Sequence, residues 1–192
     1  MKLVFATQNR NKIKEVKLLL PSEINIISLA ELHCHEDIPE TADTLDGNAQ
    51  LKAEFVWNKY ALGSFADDTG LLIDALNGAP GVYSARYAGL QATADDNIDK
   101  VLHKMKNKSN RAARFITSIA LNLDGSTHFF KGIIEGQISK ERMGKKGFGY
   151  DPIFIPKGYQ KSFAQMTPEE KNSISHRGRA LEYLNTYLRK TL

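Results

Sequence analysis

Residues 3–6, Leu-Val-Phe-Ala, form a short apolar run that predicts a buried strand. Ile13, Val16, Leu19 and Leu20 then recur at helical spacing, predicting a helix over residues 11–20 that Pro21 stops. Residues 24–28 predict a second strand. Leu45, Ala49, Ala53 and Val56 make one apolar stripe, so a long helix is expected over residues 44–60. Two short apolar runs follow, 64–67 and 71–76, separated by Asp68-Thr69-Gly70, and Asn77-Gly78-Ala79-Pro80-Gly81 reads as a loop. Ile98, Val101, Leu102 and Met105 predict another amphipathic helix, with Thr93 as its cap.

The second half changes character. Residues 115–123 and 127–139 are β-rich and flank Asp124-Gly125, a strong hairpin signal. Thr167, Pro168 and Glu170 combine a cap, a first-turn proline and a capping-box acid. Leu181, Leu184 and Leu188 mark a closing helix over residues 179–189. Strand–helix alternation followed by long hairpin strands predicts an α/β protein with a mixed sheet and flanking helices. No repeat, low-complexity tract or flexible linker divides the chain, so residues 1–192 read as one large domain or two closely packed lobes.

Composition adds little direction. With 42% hydrophobic and 25% charged residues, the chain has the balance of a globular protein and not of a disordered one. A net charge of +4 admits phosphorylated ligands or nucleic acid without choosing between them. Cys34 is the single cysteine, which excludes an intrachain disulfide and a thiolate cluster. Its neighbours His33 and His35 are adjacent in sequence and rarely face one another in such a triplet, so a loop is preferred to a zinc site. The N-terminal apolar run is too short for a signal peptide, and no run approaches membrane-spanning length. A cytoplasmic protein without a membrane partner is expected.

Four segments carry candidate chemistry. In Gly147-Phe148-Gly149-Tyr150-Asp151-Pro152, glycines let backbone approach a ligand, a ring offers a stacking face and a carboxylate offers an edge reader. Ordinary turn formation is the competing reading. Thr7-Gln8-Asn9-Arg10-Asn11-Lys12 joins a strand to a helix, where backbone N–H groups and the helix dipole suit phosphate. Helix capping by Asn9 or Asn11 is the simpler alternative, and the missing glycines exclude a Walker loop. Asp67 and Asp68 repel one another unless a cation or donor compensates, which water at an exposed turn could supply; as a cation, Mg²⁺ suits oxygen ligands and phosphates. Asp68-Thr69-Gly70 also has the form of an aspartic-protease triplet, but the chain has one copy where two are needed. Glu40 adds an acid and Lys52 a cation, although each alone reads as a solvated charge. Finally, His176 and Arg177, in the run from Lys171 to Gly178, offer donors that favour a purine 6-keto oxygen over a 6-amino group. Helix-terminus chemistry explains that run equally well.

Taken together and in this order, the segments closely resemble the inosine triphosphate pyrophosphatase family. Its members hydrolyse non-standard purine nucleoside triphosphates such as ITP, dITP and XTP to the monophosphate and pyrophosphate. The resemblance runs from Thr7 to Gly178 and takes in Gly47-Asn48-Ala49-Gln50-Leu51-Lys52, Gly78-Ala79-Pro80-Gly81-Val82-Tyr83-Ser84-Ala85-Arg86-Tyr87 and the run from Gly147 to Phe154. It implies an elongated α/β fold, two lobes around a central active-site cleft, a homodimer, Mg²⁺ as cofactor and no stable nucleic-acid partner. By the same route Thr7, Asn9 and Lys12, with Gln8, Arg10 and Asn11 between them, match the triphosphate-binding turn. Glu40 and Asp68 match the metal-binding acids, Asp68 the general base and Lys52 a phosphate contact. Phe148, Asp151, Lys171, His176 and Arg177 match the surroundings of base and sugar, with Gly149 and Tyr150 in the same loop. Thr69 stands where many relatives have Ser, and Pro39 where some carry an acid; neither change threatens the chemistry. Two rivals remain: a pyrophosphatase for modified pyrimidine nucleotides, and a nucleic-acid-binding module using Lys100, Lys104, Lys106, Lys108, Arg111 and Arg114.

Overall fold

The computed structural model describes residues 1–21 and 23–191. Along the chain lie β1 (Lys2–Phe5), α1 (Arg10–Leu19), β2 (Asn25–Ser28), α2 (Leu45–Tyr60), β3 (Ser64–Ile73) and β4 (Pro80–Gly81). They are followed by α3 (Ala94–Met105), β5 (Ala112–Leu123), β6 (Ser126–Ile138), β7 (Phe154–Pro156), α4 (Pro168–Ile174) and α5 (His176–Thr191). The strands form one sheet in the order β2-β1-β3-β5-β6-β7, with β4 paired to β3. β1 runs parallel to β2 and β3, whereas β4 on β3 and β7 on β6 are antiparallel. The mixed α/β sheet expected from the sequence is present.

The chain divides into two compact units. Unit 1 holds Met1–Asp68, Thr117–Gly132 and the chain from Arg177 onwards, and unit 2 holds Thr69–Ile116 and Ile133–His176. In unit 1 the period-two alternation of the strands sends successive side chains to opposite faces. Leu3, Phe5 and Phe65 pack with Val16 and Leu20 beside α1 and with Ala180, Leu181, Leu184 and Leu188 of α5. Val4, Ala6 and Ala66 pack instead with Ala49, Ala53 and Val56 of α2. Phe5 and Phe65, partners in the β1–β3 register, stack with centroids 4.6 Å apart. From β1 the chain thus returns through α1 on one face to β2, and through α2 on the other to β3. The carboxyl end of β1, and the part of β3 just beyond its pairing with β1, therefore form a topological switch point, the position where open α/β sheets bind ligands.

Unit 2 has its own core, built from Leu71, Ile73, Ile98, Val101, Met105, Phe115, Phe154 and Phe163 among others. Arg111 secures its edge by donating to the carbonyls of Met105, Ile138 and Ser139 at 3.0, 2.5 and 2.6 Å.

Local signals translate into structure with three departures, the first being that Pro80–Gly81, inside the segment read as a loop, pairs with β3 as the short strand β4. Thr93 and Thr167 cap α3 and α4 in full capping boxes, with Asp96 and Glu170 as the reciprocal acids. Asp124 and Gly125 take φ values of 51° and 81°, the double left-handed turn that a two-residue hairpin requires. The expected break at Asp68-Thr69-Gly70 is absent: β3 runs unbroken from Ser64 to Ile73, and residues 74–76 form a single helical turn. Pairing with β1 at one end and β4 at the other outweighs the poor strand propensity of Asp and Gly. α5 likewise begins at His176, three residues before the apolar periodicity shows it.

Candidate active site

The turn between β1 and α1 is built by Asn9. Its side-chain oxygen accepts from the backbone N–H groups of Asn11 and Lys12 at 3.0 and 3.3 Å, which makes Asn9 the N-cap. The Thr7 hydroxyl accepts from the Asn9 N–H at 3.2 Å, and the Gln8 amide donates to the Glu36 carbonyl at 3.0 Å. Gln8, Asn9, Arg10 and Asn11 are exposed, Thr7 and Lys12 half-buried. Capping and an exposed helix N-terminus are therefore properties of one turn, and the two readings of it are compatible.

Asp67 and Asp68 are consecutive on β3 and face opposite layers. Asp67 joins α1 and α5. Its Oδ1 lies 2.9 Å from Lys12 Nζ, and its Oδ2 accepts from Arg177 Nε at 3.0 Å and lies 2.9 Å from Arg177 Nη2. Arg177 Nη1 in turn donates to Glu15 of α1 at 2.5 Å. Asp68 joins α2. Lys52 Nζ reaches Asp68 Oδ1 at 3.4 Å and Glu40 Oε1 at 2.5 Å, and the Asn48 amide donates to Asp68 Oδ2 at 3.4 Å. Asn48 also accepts from the Ala42 N–H at 2.9 Å, which holds the segment behind Glu40. Asn48 and Lys52 are four residues apart, one above the other on the buried face of α2.

Opposite environments separate the two carboxyls. Burial alone would raise Asp67, but Lys12 and Arg177 outweigh it and hold the carboxyl well below the usual range. Burial pushes Asp68 up, Lys52 opposes it, and the charge of Glu40 pushes it up further. Lys12 is pushed down, chiefly by burial, with the Asp67 charge opposing. Burial would lower Lys52, yet Asp68 and Glu40 prevail and the ammonium is held above its ordinary value. Arg177 is raised in the same way: burial opposes, and Asp67 and Glu15 win.

Among the described residues no group of three or more His, Cys, Asp or Glu forms a ready metal cage. Glu40 and Asp68 nevertheless fit a divalent ion of the magnesium type. Their oxygens already share one cation, the Lys52 ammonium, and Mg²⁺ takes one or two carboxylates with the rest from water and phosphate. Cys34 is buried while His33 and His35 are exposed.

Unit 2 carries a second constellation. Asp151, at the end of the glycine-aromatic loop, accepts from the Phe148 N–H at 2.8 Å and from Lys171 Nζ at 2.7 Å through the same Oδ2. The Lys171 ammonium also stands 4.8 Å from the centroid of the half-buried Phe148 ring. Gly147 adopts φ 76°, and a Cβ there would meet Asp151 Oδ2 at 2.1 Å, so only glycine permits this contact. Gly149, at φ 58°, is half-buried and has open space where a Cβ would stand.

Three residues expected around a bound base have other neighbours. Tyr150 is buried in the core and donates its hydroxyl to the Ser84 carbonyl at 2.8 Å. His176 stacks on Phe115, centroids 4.6 Å apart. Arg177 is 2% exposed, with its guanidinium directed at carboxylates. Thr69 is half-buried. Asn48 and Glu15 were not singled out from the sequence; only a polar residue inside the apolar stripe of α2 marks the first, and nothing local marks the second. The basic cluster of the nucleic-acid reading is largely engaged within unit 2. Lys100 donates to the Tyr87 carbonyl, Lys104 stands over the Tyr87 ring, Arg111 binds three carbonyls and Arg114 pairs with Asp74.

Two stability measurements check this geometry. Asp67→Asn leaves Arg177 and Lys12 without their shared anion and should cost on the order of 3–5 kcal/mol at neutral pH. The folded Asp67 carboxyl titrates below the unfolded one, so its contribution is complete above the unfolded value and is lost as pH falls through the folded value. The difference in Tm between wild type and Asp67→Asn should accordingly shrink from pH 7 towards pH 3. Gly147→Ala should lose about 1–2 kcal/mol to left-handed strain and more to the displaced Asp151 carboxylate. Gly149→Ala should lose only the strain, so equal losses in thermal unfolding would exclude the contact.

The comparisons with known proteins agree with this architecture. Residues 3–187 match the model of the Ham1 family. A Flavobacterium johnsoniae protein named dITP/XTP pyrophosphatase is 54% identical over 191 residues, covering 100% of both chains. The Staphylococcus aureus Ham1 protein superposes with a TM-score of 0.91 at 39% identity over 100% of both chains. A HAM1 protein from Coxiella burnetii gives a TM-score of 0.91 at 43% identity over 99% of each. With its switch-point site, its mixed sheet and these full-length similarities, the chain belongs to the Ham1 family.

Proposed function

We propose that this protein is a nucleoside triphosphate pyrophosphatase that hydrolyses non-standard purine nucleotides, dITP, ITP and XTP, to the monophosphate and pyrophosphate. The observation that carries the chemistry is the pair Glu40 and Asp68 sharing the Lys52 ammonium, with the residue before Asp68, Asp67, paired to Lys12 in the first turn of α1. The substrate class comes from relatives such as the Flavobacterium johnsoniae protein, whose name states it.

Glu40 and Asp68 are the residues that would hold Mg²⁺. Bound there, the ion would offset phosphate charge and polarise the phosphoryl oxygens. Asp68, with its carboxyl raised by burial, accepts a proton from the water that attacks the α-phosphorus. The new bond joins water oxygen to the α-phosphorus, and the bond to the bridging oxygen breaks. Lys12, Lys52 and the N–H groups at the start of α1 receive the charge of the departing pyrophosphate. In unit 2, Phe148 supplies a ring face, and Asp151 with Lys171 supplies the polar groups suited to a purine. Arg177 keeps a part in recognition by resemblance alone, because its visible partners are Asp67 and Glu15.

The protein is further proposed to act as a cytoplasmic homodimer, without a stable nucleic-acid or membrane partner. No helix among the described residues is long and apolar enough to cross a membrane.

Equal concentrations of ITP, XTP, GTP, ATP and dUTP with Mg²⁺, both products being resolved, provide the test. Monophosphate and pyrophosphate should appear, with ITP and XTP well ahead of GTP and ATP. Release of single phosphates or a preference for dUTP would overturn the assignment. Asp68→Asn should lower kcat by about 10²–10⁴-fold while keeping the fold. Near-normal turnover of that folded variant would remove Asp68 as the base.

A further inference from the structure

Asp67 stands beside the proposed base, yet no part of the proposed reaction uses it. Its surroundings exclude a direct role. The residue is 1% exposed, Oδ1 faces Lys12 and Oδ2 is shared by two nitrogens of Arg177. Both oxygens are turned to cations of the protein.

We propose that Asp67 is a positioning residue that fixes the Lys12 ammonium for the triphosphate; this rests on the reading of Lys12 as a phosphate ligand. Lys12 carries a flexible four-carbon stem, and ordering it at the moment of binding costs rotamer entropy. Asp67 orders it beforehand. The ammonium lies 2.9 Å from the Asp67 carboxylate and donates to the Asp67 carbonyl at 3.3 Å. Two oxygens of one residue thus set the direction of Nζ, the carbonyl through a hydrogen bond and the carboxylate through ion-pair contact.

The anchor is itself held from the other side. Arg177, at the start of α5, grips Asp67 Oδ2, and Glu15, one turn beyond Lys12 on α1, grips Arg177. The four groups form a ring of two anions and two cations running from α1 to β3 to α5 and back to α1, with Asp67 and Arg177 buried and Lys12 and Glu15 half-buried. Its charges balance, which lets Lys12 stay paired in a half-buried place where an isolated ammonium would be disfavoured. Asp68, on the opposite face, has its own lysine and takes no part in the ring. The doublet therefore divides its labour: Asp67 aims a phosphate ligand and Asp68 handles the water.

Binding of pyrophosphate with Mg²⁺, measured by calorimetry in a double-mutant cycle, tests the idea without requiring turnover. Asp67→Asn should weaken pyrophosphate binding at least tenfold and raise KM for ITP in parallel. In a Lys12→Met background the same substitution should change the affinity by less than twofold, because the group it aims is gone. A general loosening of the fold would weaken binding equally in both backgrounds. That result, or full affinity in folded Asp67→Asn, would overturn the proposal. If Asp67→Asn does not fold, Asp67→Glu takes its place in both backgrounds. It keeps the charge and displaces the carboxylate by one methylene, and the same tenfold loss confined to the Lys12 background is expected. The wild-type protein separates the two levels of inference. Hydrolysis of ITP with no coupling in the cycle sinks the role of Asp67 alone, whereas wild type that neither binds pyrophosphate nor hydrolyses ITP sinks both readings.

Discussion

Burying two neighbouring carboxylates on one strand is the constraint around which unit 1 is arranged. Each would be strongly disfavoured alone, and side by side in a loop they would repel. The pleat of β3 resolves this by sending Asp67 towards α1 and α5 and Asp68 towards α2, where separate cations meet them. The helices must then be placed to deliver Lys12, Arg177 and Lys52. Apolar packing of Phe5 and Phe65 on one face, and of Ala66, Ala49 and Ala53 on the other, supplies that placement.

The two environments are unequal, and the inequality is useful chemistry. Asp67 meets two cations within hydrogen-bond range and stays an anion far into acid. Burial pushes the Asp68 carboxyl up, one lysine at 3.4 Å opposes it, and the repulsion of Glu40 adds to the rise. A pair of titratable groups pushed apart by environment is the usual way a fold separates a structural charge from a proton acceptor. Lys52 links this to the proposed metal site, since it rests between the two acids that would hold Mg²⁺ there.

Several site features were legible because they are local. Asn9 after a strand, Thr93 with Asp96 and Thr167 with Glu170 all cap helices, since a cap involves residues within three of one another. Asp124-Gly125 makes its turn for the same reason. Gly147 and Asp151 form a loop whose single hydrogen-bonded turn lies inside one six-residue run. By contrast, the contacts that Tyr150 and Arg177 make within the protein were not legible. Their partners, Ser84 for one and Glu15 and Asp67 for the other, are 66, 162 and 110 residues distant.

By itself, then, the sequence determined most of the succession of helices and strands, though not the short β4 and β7, together with the capped and turned junctions and the set of acids and bases that could do phosphate chemistry. The ordered motifs also determined the family. Only the tertiary structure decided that β3 passes unbroken through Asp68-Thr69-Gly70, because the pairing that overrides local propensity comes from β1 and β4. It alone decided which aspartate is locked and which is poised. Two adjacent, identical residues differ in sequence by a single position, and what distinguishes them is the face of the sheet to which each is turned and the helix that waits there.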